Sequence, residues 1–465
     1  MHPSKKNRNV FTQKGTFQFM AKTSTDSIVI VGAGCAGLSA ARYLKQHGQH
    51  AIILEARNCI GGRVRTINDF GVPVDLGAAW LHGGPGNPLK KIAQEISLER
   101  RVSDFSNLAF YDIQSEGGFI DPLKASENLS AGFQAFSKAM KSASLWPYLR
   151  TVIGRSVGLS GSRMNIADIL ERVTANLKGS QENSQLLAFM KMSFEGLYAS
   201  PVGELGFASL LTESATEPEG GIFPKDDQFV TGGMEKIMNY LAQDIEVHFN
   251  QVVKHIAYDQ HGVEIQTQNE TFKARAVIVT VPISILRSGQ ITFEPDLPPR
   301  HQKALKYMDM GLVNRVVLQF PHIFWSESVD FLAMCNSSLQ PMFINYAHYR
   351  QVPVLIGVVG GQAAHRIEAL SDTAIALQFC SELQRILQVN VPEPTKVVVQ
   401  RWKQEEFAGG SYPRYLVGAT GLEPKHLATP ILNRVFFAGD ATSFTEPGYL
   451  HGAFWSGELA ASASL

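Results

Sequence analysis

The chain has 465 residues, of which 45% are hydrophobic and 18% are charged, and its 42 basic side chains balance 42 acidic ones. This length favours two or three domains and permits burial of a large ligand. The balanced charge argues against a nucleic-acid or membrane-surface partner, and no run of about 18 apolar residues predicts a membrane span. We therefore expect a cytoplasmic protein, either a monomer or a homodimer.

The amino-terminal segment and the cysteines exclude further classes. Residues 1–24 carry five basic side chains and no apolar stretch typical of a signal peptide, which predicts a disordered basic leader. The spacing of Cys35, Cys59, Cys335 and Cys380 is not that of metal ligands. We expect neither a metal site nor a disulfide framework.

The first predicted elements are a strand, a glycine-rich turn and a helix. The apolar run Ile28–Val31 leads into a turn containing Gly32, Gly34 and Gly37, and residues 38–45 have helical periodicity. Gly32 permits the tight turn, Gly34 lets a pyrophosphate approach the backbone, and Gly37 lets the helix pack closely on the strand. The helix N-terminus adds N–H donors and a positive dipole end, so this pattern predicts a phosphate site.

A second predicted strand, Ala51–Leu54, ends at an acidic residue, Glu55. A carboxylate at this position can accept both hydroxyl protons of an adenosine ribose. A glycine triplet alone also fits an ordinary strand-to-helix turn, but the second strand and the acid in register favour a dinucleotide. Arg57 and the turn over residues 61–63 follow closely. A cofactor that is buried deep in the protein needs close contact with the backbone and cationic side chains for its second phosphate at this point.

At this point the sequence resembles the flavin-containing amine oxidase family, in which the nucleotide motif continues as Glu-x-Arg and then Gly-Gly-Arg-x-x-Thr. The matching residues are Glu55, Arg57, Gly61, Gly62, Arg63 and Thr66. The resemblance returns in residues 75–83, 229–256, 274–286, 434–443 and 448–461. It implies an α/β fold with a Rossmann-like FAD-binding domain of the GR2 type, interleaved with a mixed sheet-and-helix substrate domain.

The resemblance also implies where the rest of the cofactor lies. Residues 77–80 run beside the flavin ring, Val253 lies near the adenine, and Trp402 lies against the dimethylbenzene side. Near the end of the chain, a strand over 434–438 leads to a turn at Gly439 and Asp440 that faces the pyrophosphate. The family commonly has Glu where this chain has Asp440.

The helix over 448–461 is expected to point its N-terminus at the flavin carbonyls, so the tail would complete the site begun at Gly32. The predicted cofactor-binding residues are Gly32, Gly34, Ala36, Gly37, Glu55, Ala56, Arg57, Gly62, Arg63, Gly77, Ala78, Ala79, Trp80, Val253, Trp402, Gly439, Asp440, Tyr449 and Leu450.

The segments that match the family divide the chain. We expect a discontinuous FAD-binding domain made of residues 25–83, 226–286 and 396–465. The inserts between them, residues 84–225 and 287–395, would form the substrate domain.

Helical spacings dominate the first insert, as in residues 129–143 and 164–177. The second insert mixes predicted strands over 313–320 and 352–360 with a predicted helix over 372–387. Residues 274–286 read as another buried strand, which leaves the cofactor domain at Pro282.

Two tyrosines match the aromatic pair that flanks the amine in the family. Tyr412 stands in GGSYPRYLVG and Tyr449 in PGYLHGAF. Two π-faces attract a cationic amine. The alternative is that both are core tyrosines with hydrogen-bonded hydroxyls. Ser411 stands where monoamine oxidases carry the cysteine that attaches the flavin, so the resemblance implies noncovalent FAD.

Two further residues stand at positions of expected chemistry. His82 either binds or deprotonates a substrate nitrogen, or is satisfied by a backbone carbonyl at the pocket rim. Arg315 replaces a family lysine that holds a water against flavin N5 during reoxidation. Because arginine keeps its charge and has a larger planar fork, the replacement either slows reaction with oxygen, favours another acceptor, or places the side chain elsewhere.

The resemblance therefore implies FAD-dependent oxidation of a small-molecule amine, with Tyr412, Tyr449, Arg315 and His82 as the catalytic residues. Hydride would pass from the amine α-carbon to flavin N5, giving an imine that hydrolyses to an aldehyde, and oxygen as acceptor would give hydrogen peroxide. The run Trp80-Leu81-His82-Gly83 favours a polyamine. A monoamine or L-amino acid oxidase, an FAD-dependent desaturase or dehydrogenase, and a noncatalytic FAD-binding protein stay open as alternatives.

Overall fold

The computed structural model describes most of the chain. The described residues are 27–83, 86–112, 119–120, 163–176, 181–210 and 226–465. The predicted leader over 1–24 and the predicted helical stretch over 129–143 lie outside them.

The strands are numbered in chain order. They are β1 (Ile28–Val31), β2 (Ala51–Leu54), β3 (Thr66–Ile67), β4 (Val74–Asp75), β5 (Trp80–Leu81), β6 (Arg100–Val102), β7 (Leu108–Asp112), β8 (Phe119–Ile120), β9 (Gln228–Val230), β10 (Glu246–His248), β11 (Val253–Tyr258), β12 (Val263–Thr267), β13 (Thr271–Ala274), β14 (Ala276–Val279), β15 (Thr292–Glu294), β16 (Met308–Met310), β17 (Val313–Gln319), β18 (Phe331–Cys335), β19 (Met342–Asn345), β20 (Val354–Gly360), β21 (Lys396–Gln400), β22 (Pro413–Tyr415) and β23 (Val435–Phe437).

The helices are numbered in the same way. They are α1 (Cys35–Gln46), α2 (Pro88–Glu95), α3 (Ile166–Asn176), α4 (Gln181–Leu197), α5 (Glu235–Leu241), α6 (Ile283–Arg287), α7 (Pro299–Tyr307), α8 (Tyr346–Arg350), α9 (Gly361–Ala369), α10 (Asp372–Leu387), α11 (Glu423–Ala428) and α12 (Leu450–Ser464). Within the described ranges, none of these helices is both long enough and apolar enough to cross a membrane.

A parallel sheet forms the centre of the nucleotide end. Its strand order is β10-β2-β1-β14-β23, and every neighbouring pair is parallel. Alternate residues of β1 face α1, α5 and α12 on one side, and the others face the sheet of β13, β12, β11 and β15. Because both faces of the parallel sheet are covered, its central strands consist of consecutive apolar residues and do not alternate between apolar and polar ones.

The last helix packs tightly against the first. A Cβ atom on Gly457 of α12 would lie 2.1 Å from the backbone oxygen of Ala36 in α1. The Ser39 hydroxyl donates to the backbone oxygen of Phe454 at 2.8 Å. This close approach brings the end of the chain against the helix that follows the glycine turn.

A larger mixed sheet lies beside this unit, with strand order β21-β17-β20-β19-β18-β7-β8. Helices α9 and α10 cover one face through an apolar cluster. The other face packs partly on α4, through Phe189 and Met192. Ser371 caps α10 by accepting a hydrogen bond from the backbone N–H of Ala374 at 3.2 Å.

Several predicted elements are confirmed. The bounds of β1, β2 and α10 agree with the predictions, and β17, β20, α3 and α12 differ from theirs by a few residues at their ends. The prediction of one strand over 274–286 is wrong, because β14 stops at Val279 and α6 begins after Pro282. Proline cannot donate to a strand ladder and is tolerated at a helix start. The fold is α/β with several sheets, and the domain boundaries stay a prediction.

Candidate active site

One cavity of about 1530 Å³ joins the nucleotide end to the mixed sheet. This volume exceeds the roughly 300–1,000 Å³ typical of a single ligand, so the cavity has room for a cofactor and a substrate together. Apart from Gly37, every residue that the sequence predicted for the site lines this cavity. Gly37 instead packs behind it, since a Cβ atom there would lie 2.0 Å from the backbone oxygen of Gly32.

The glycine turn leaves open space where a phosphate was predicted. Gly32 has φ of +106°, and a Cβ atom on it would meet the Thr280 hydroxyl at 2.8 Å. A Cβ atom on Gly34, in contrast, would meet nothing within 4 Å. The second glycine turn lies against the first, because the Gly61 N–H donates to the backbone oxygen of Ala33 at 2.9 Å. The protein itself does not fill the space in front of Gly34, which fits a bound pyrophosphate.

Glu55 is buried and held by the backbone. Its Oε2 accepts from the Ala33 N–H at 2.7 Å and its Oε1 accepts from the Arg57 N–H at 2.9 Å. Each carboxylate oxygen has a second lone pair, so ribose hydroxyls can still be accepted. Arg57 Nη2 donates to the Gly62 oxygen at 2.7 Å, while its buried Nε lies 3.7 Å from Glu55 Oε1 and has no hydrogen-bond partner among the described residues. This orphaned donor also fits a bound cofactor.

Arg63 and Asp440 form a bidentate ion pair, which the sequence reasoning did not foresee. Both guanidinium nitrogens, Nη1 and Nη2, donate to the carboxylate at 2.7 Å, and Nη1 also donates to the Ser411 oxygen at 2.7 Å. The resemblance places the turn that contains Arg63 and the turn at Asp440 each beside the pyrophosphate, and the ion pair joins these two turns to each other. A carboxylate beside a phosphate is repelled unless a cation neutralises it, and Arg63 performs that neutralisation.

Helix α12 begins at the cavity. Gly448 has φ of +82°, and Tyr449 is the N-cap residue of the helix. Leu450, His451 and Ala453 of the first turn line the cavity. The positive end of the helix dipole is therefore directed at this space, and it favours negative partial charge there.

Tyr412 and Tyr449 both line the same cavity. The Tyr412 hydroxyl donates to the backbone oxygen of Gly196 in α4. Its ring packs next to Gly448, since a Cβ atom on that glycine would lie 3.8 Å from Tyr412 Cδ2. The hydroxyl is satisfied as in a core tyrosine, yet the residue still forms part of the cavity wall.

Arg315 is fixed in the wall beside Trp80. Its Nη1 donates to the backbone oxygen of Asp75 at 2.5 Å, and its guanidinium carbon lies 5.5 Å from the centre of the Trp80 ring. Burial lowers the pKa of Arg315, and attraction by Asp75, Tyr346 and Tyr412 opposes that shift. Because the residue lines the cavity, the alternative that it points elsewhere does not fit.

Asp75 lies behind Arg315 and is almost fully buried. Burial raises the pKa of Asp75 to about 7, although hydrogen bonds from Thr66 and from the Met234 N–H, and the charge of Arg315, act in the opposite direction. The Thr66 hydroxyl donates to Asp75 Oδ1 at 2.5 Å. The threonine of the family-like motif thus supports the carboxylate beneath the arginine.

His82 is paired with a buried carboxylate that the sequence analysis missed. Its Nδ1 lies 2.5 Å from Oδ2 of Asp227, whose Oδ1 accepts from the Gly83 N–H at 3.0 Å. The alternative of a backbone carbonyl at the rim is therefore wrong. The imidazole also contacts the ring of Tyr449, at 5.2 Å between centroids. Asp227 lies 145 residues from His82 in the sequence. The one sequence signal for it is its position directly before residues 229–256, where the resemblance to the family returns.

A second pair of this kind was also missed. His451 Nε2 lies 3.3 Å from Glu446 Oε2, and the His451 and Tyr449 ring centroids are 5.3 Å apart. A Cβ atom on Gly452 would lie 2.0 Å from the Glu446 backbone oxygen, so the turn before α12 packs directly on its first turn. A local sequence signal for this pair existed, because Glu446 and His451 flank Tyr449, which was itself predicted as a site residue.

Ser411 and Trp402 are held by backbone atoms. The Ser411 hydroxyl accepts from the Val313 N–H at 2.8 Å and donates to the Val313 oxygen at 2.7 Å. Trp402 Nε1 donates to the Leu76 oxygen at 3.2 Å, and its ring lies against Gly77. All four cysteines, which lie in described parts of the chain, are free thiols. No group of three or more His, Cys, Asp or Glu side chains in those parts is placed to hold a metal ion.

Comparison with known proteins agrees with this geometry. Residues 35–465 match the model of the flavin containing amine oxidoreductases. The chain belongs to this family. A flavin is therefore its expected cofactor, and the open space at Gly34 and the orphaned Arg57 nitrogen fit the nucleotide part of FAD.

Curated relatives within the family carry different names. The chain is 31% identical over 454 residues to lysine-specific histone demethylase 1 homolog 2 of Arabidopsis thaliana, covering 94% of this chain and 58% of the relative. It is 32% identical to Protein FLOWERING LOCUS D of the same plant, covering 95% and 55%. It is also 32% identical to its polyamine oxidase 2, covering 95% and 88%. The chain thus spans little more than half the length of the first two relatives.

Proposed function

We propose that this protein is an FAD-dependent amine oxidase that binds FAD noncovalently and acts on a polyamine. One observation carries the proposal. A single cavity contains both the glycine turn with Glu55 and the side chains of Tyr412 and Tyr449. Membership of the family and the similarity to a relative named polyamine oxidase 2 support the same conclusion.

The nucleotide end would bind the cofactor by polar contacts alone. Glu55 would accept ribose hydroxyls, the turn at Gly34 would receive the pyrophosphate, and the Arg57 guanidinium pairs with Glu55 beside them. Ser411 supplies no thiol, and its hydroxyl is already bonded twice to Val313. A bound flavin would supply the acceptor for a hydride from the amine carbon, and oxygen would be the final electron acceptor.

At the other end, Tyr412 and Tyr449 would present aromatic walls to the incoming ammonium group. His82 would then take a proton from it. Asp227 holds His82 Nδ1 as the donor nitrogen, which leaves Nε2 as the acceptor nitrogen of the neutral ring. A proton moved from the ammonium to Nε2 leaves the neutral amine whose lone pair assists loss of hydride.

Arg315 would act as a fixed positive charge next to this chemistry. Its contacts with the Asp75 oxygen and Trp80 leave it little freedom to reposition. Unlike lysine it does not act as a proton shuttle, because its guanidinium does not deprotonate in proteins. We expect reoxidation by oxygen to be slower than with lysine at this position.

A second candidate substrate is a methylated lysine side chain in a peptide. Two relatives that the chain matches over 94% and 93% of its length are named as lysine-specific histone demethylases.

The test is product analysis in air. Spermine, spermidine, simple monoamines, L-amino acids and a methylated lysine peptide are each incubated with the purified protein, and aldehyde and hydrogen peroxide are measured. We expect equal amounts of both products from polyamines, and loss of turnover when Tyr412 and Tyr449 are replaced by alanine. Acid precipitation should release all flavin into the supernatant. Peroxide from none of the amines, or flavin retained in the pellet, would contradict the proposal.

A further inference from the structure

Tyr449 lies between two imidazole rings, each paired with a carboxylate. The centroid of the His82 ring is 5.2 Å from that of Tyr449, and the centroid of the His451 ring is 5.3 Å away. Asp227 pairs with His82 at 2.5 Å, and Glu446 pairs with His451 at 3.3 Å. All five side chains belong to residues that line the cavity. One predicted wall of the amine site is therefore flanked on both sides by acid–imidazole pairs.

The other carboxylates of the described cavity wall already have strong partners. Glu55 accepts two backbone N–H groups, and Asp440 is neutralised by the bidentate guanidinium of Arg63. A guanidinium is always charged, whereas an imidazole neutralises its partner only when it is protonated. The two lining carboxylates that pair with an imidazole are Asp227, which also accepts from the Gly83 N–H at 3.0 Å, and Glu446.

The two pairs differ in their surroundings. Lys90 Nζ donates to the backbone oxygens of Gly83 and Asp226 and is attracted by Asp227, which partly offsets the Asp227 charge. Among the described residues, only His451 forms an ion pair with Glu446. The Asp227 side chain is 1% exposed and both of its oxygens have partners, whereas the Glu446 side chain is 17% exposed. Glu446 is therefore the more accessible of the two carboxylates to a second cation.

We propose that Glu446 and Asp227 select amines that carry a second cationic nitrogen. This inference rests on the proposed function, because it takes the oxidised nitrogen to lie beside Tyr449. Both imidazoles contact the ring of Tyr449, so a chain of a few carbons from that nitrogen reaches either pair. A charge-assisted hydrogen bond at a partly buried site strengthens binding by about 10- to 100-fold.

The test compares a diamine with a monoamine of the same length. Binding of 1,6-diaminohexane and hexylamine is measured by calorimetry on dithionite-reduced protein under nitrogen, where neither amine turns over. At about pH 8.5 a free imidazole is neutral and an alkyl ammonium is still charged. The ratio of the two dissociation constants cancels any effect of a substitution that is common to both amines, such as a shifted Tyr449 ring.

We expect the wild-type protein to bind the diamine about 10- to 100-fold more tightly. Glu446→Gln should lower this ratio by about tenfold or more, and Asp227→Asn should lower it by less. The matched control is Glu294→Gln, which alters an acid–imidazole pair with His255 on the surface, where the Glu294 side chain is 77% exposed. The control should keep the wild-type ratio, and flavin content identifies any variant that has lost its fold.

A wild-type ratio near one would overturn the inference, and so would a ratio that survives both Glu446→Gln and Asp227→Asn. Mixing the same two amines with the oxidised protein tests the proposed function separately. If neither bleaches the flavin, the proposed function fails at that step. The binding ratio on the reduced protein still decides whether the two carboxylates select a second cation.

Discussion

Substitution of Gly457 by alanine should destabilise the protein, although the same change inside a helix is normally favourable. Alanine in place of glycine stabilises a helix interior by about 0.8–1 kcal/mol. Here the new Cβ atom would lie 2.1 Å from the Ala36 oxygen and 2.2 Å from the Ser39 hydroxyl. Ordinary contacts begin near 3.4 Å, so α1 and α12 must separate by about 1 Å in a close-packed interior.

The cost can be worked from these contacts. Overpacking of a core costs about 1–3 kcal/mol, and loss of the hydrogen bond from Ser39 to the Phe454 oxygen adds about 1 kcal/mol. After the helix gain is subtracted, we expect a net loss of about 1–3 kcal/mol. Because Ala36 and Leu450 line the cavity, flavin affinity should fall as well.

The assay is urea unfolding with and without excess FAD, together with titration of the apoprotein by FAD. The matched control is Gly196→Ala in α4, where an added Cβ atom meets nothing within 4 Å, so the protein should become slightly more stable. A Gly457→Ala protein as stable as the wild type, with unchanged flavin affinity, would refute the close packing of α1 on α12.

Three further changes have defined outcomes. Asp440→Asn removes the negative charge that pairs with Arg63 at a partly open site, so the free energy of unfolding should fall by about 2–3 kcal/mol. FAD binding, measured by equilibrium dialysis, should also weaken. Unchanged FAD affinity would contradict the ion pair. Because burial raises the folded-state pKa of Asp75 to about 7, its stabilising effect is complete below about pH 4 and is lost as pH rises through 7. Asp75→Asn should remove this fall of roughly 4 kcal/mol in the free energy of unfolding, measured by thermal or urea unfolding, and parallel pH curves for both proteins would contradict it. Arg315→Lys should speed recolouring of the reduced flavin in air in stopped-flow measurements, and an unchanged rate would show that Arg315 does not limit reaction with oxygen.

The nucleotide end was predictable because its signals are local. The run from Ile28 to Glu55 contains the strand, the glycine turn, the helix and the acid in one stretch, and each has a distinct sequence pattern. The helix over residues 372–387 was predictable for the same reason, since its cap and apolar period are contiguous. The break after β14 was misjudged because an apolar run of this length does not by itself separate strand from helix.

The polar partners of the site were not predictable from the sequence. Arg63 and Asp440 are 377 residues apart, and His82 and Asp227 are 145 residues apart. Such pairs depend on which loops the sheets bring together, and one carboxylate looks like another in a loop sequence. The family resemblance located Tyr412, Tyr449 and Arg315, but it did not locate Asp227 and Glu446, which pair with the histidines beside Tyr449.

Anaerobic reduction of the flavin by an amine tests the central claim most directly. The purified yellow protein is mixed without oxygen with spermine, spermidine, simple monoamines, L-amino acids and a methylated lysine peptide, and the flavin absorbance is followed. If one cavity holds both the flavin and the amine, the polyamines should bleach the flavin, and the colour should return in air. A flavin that dithionite bleaches but none of these amines does would contradict the account.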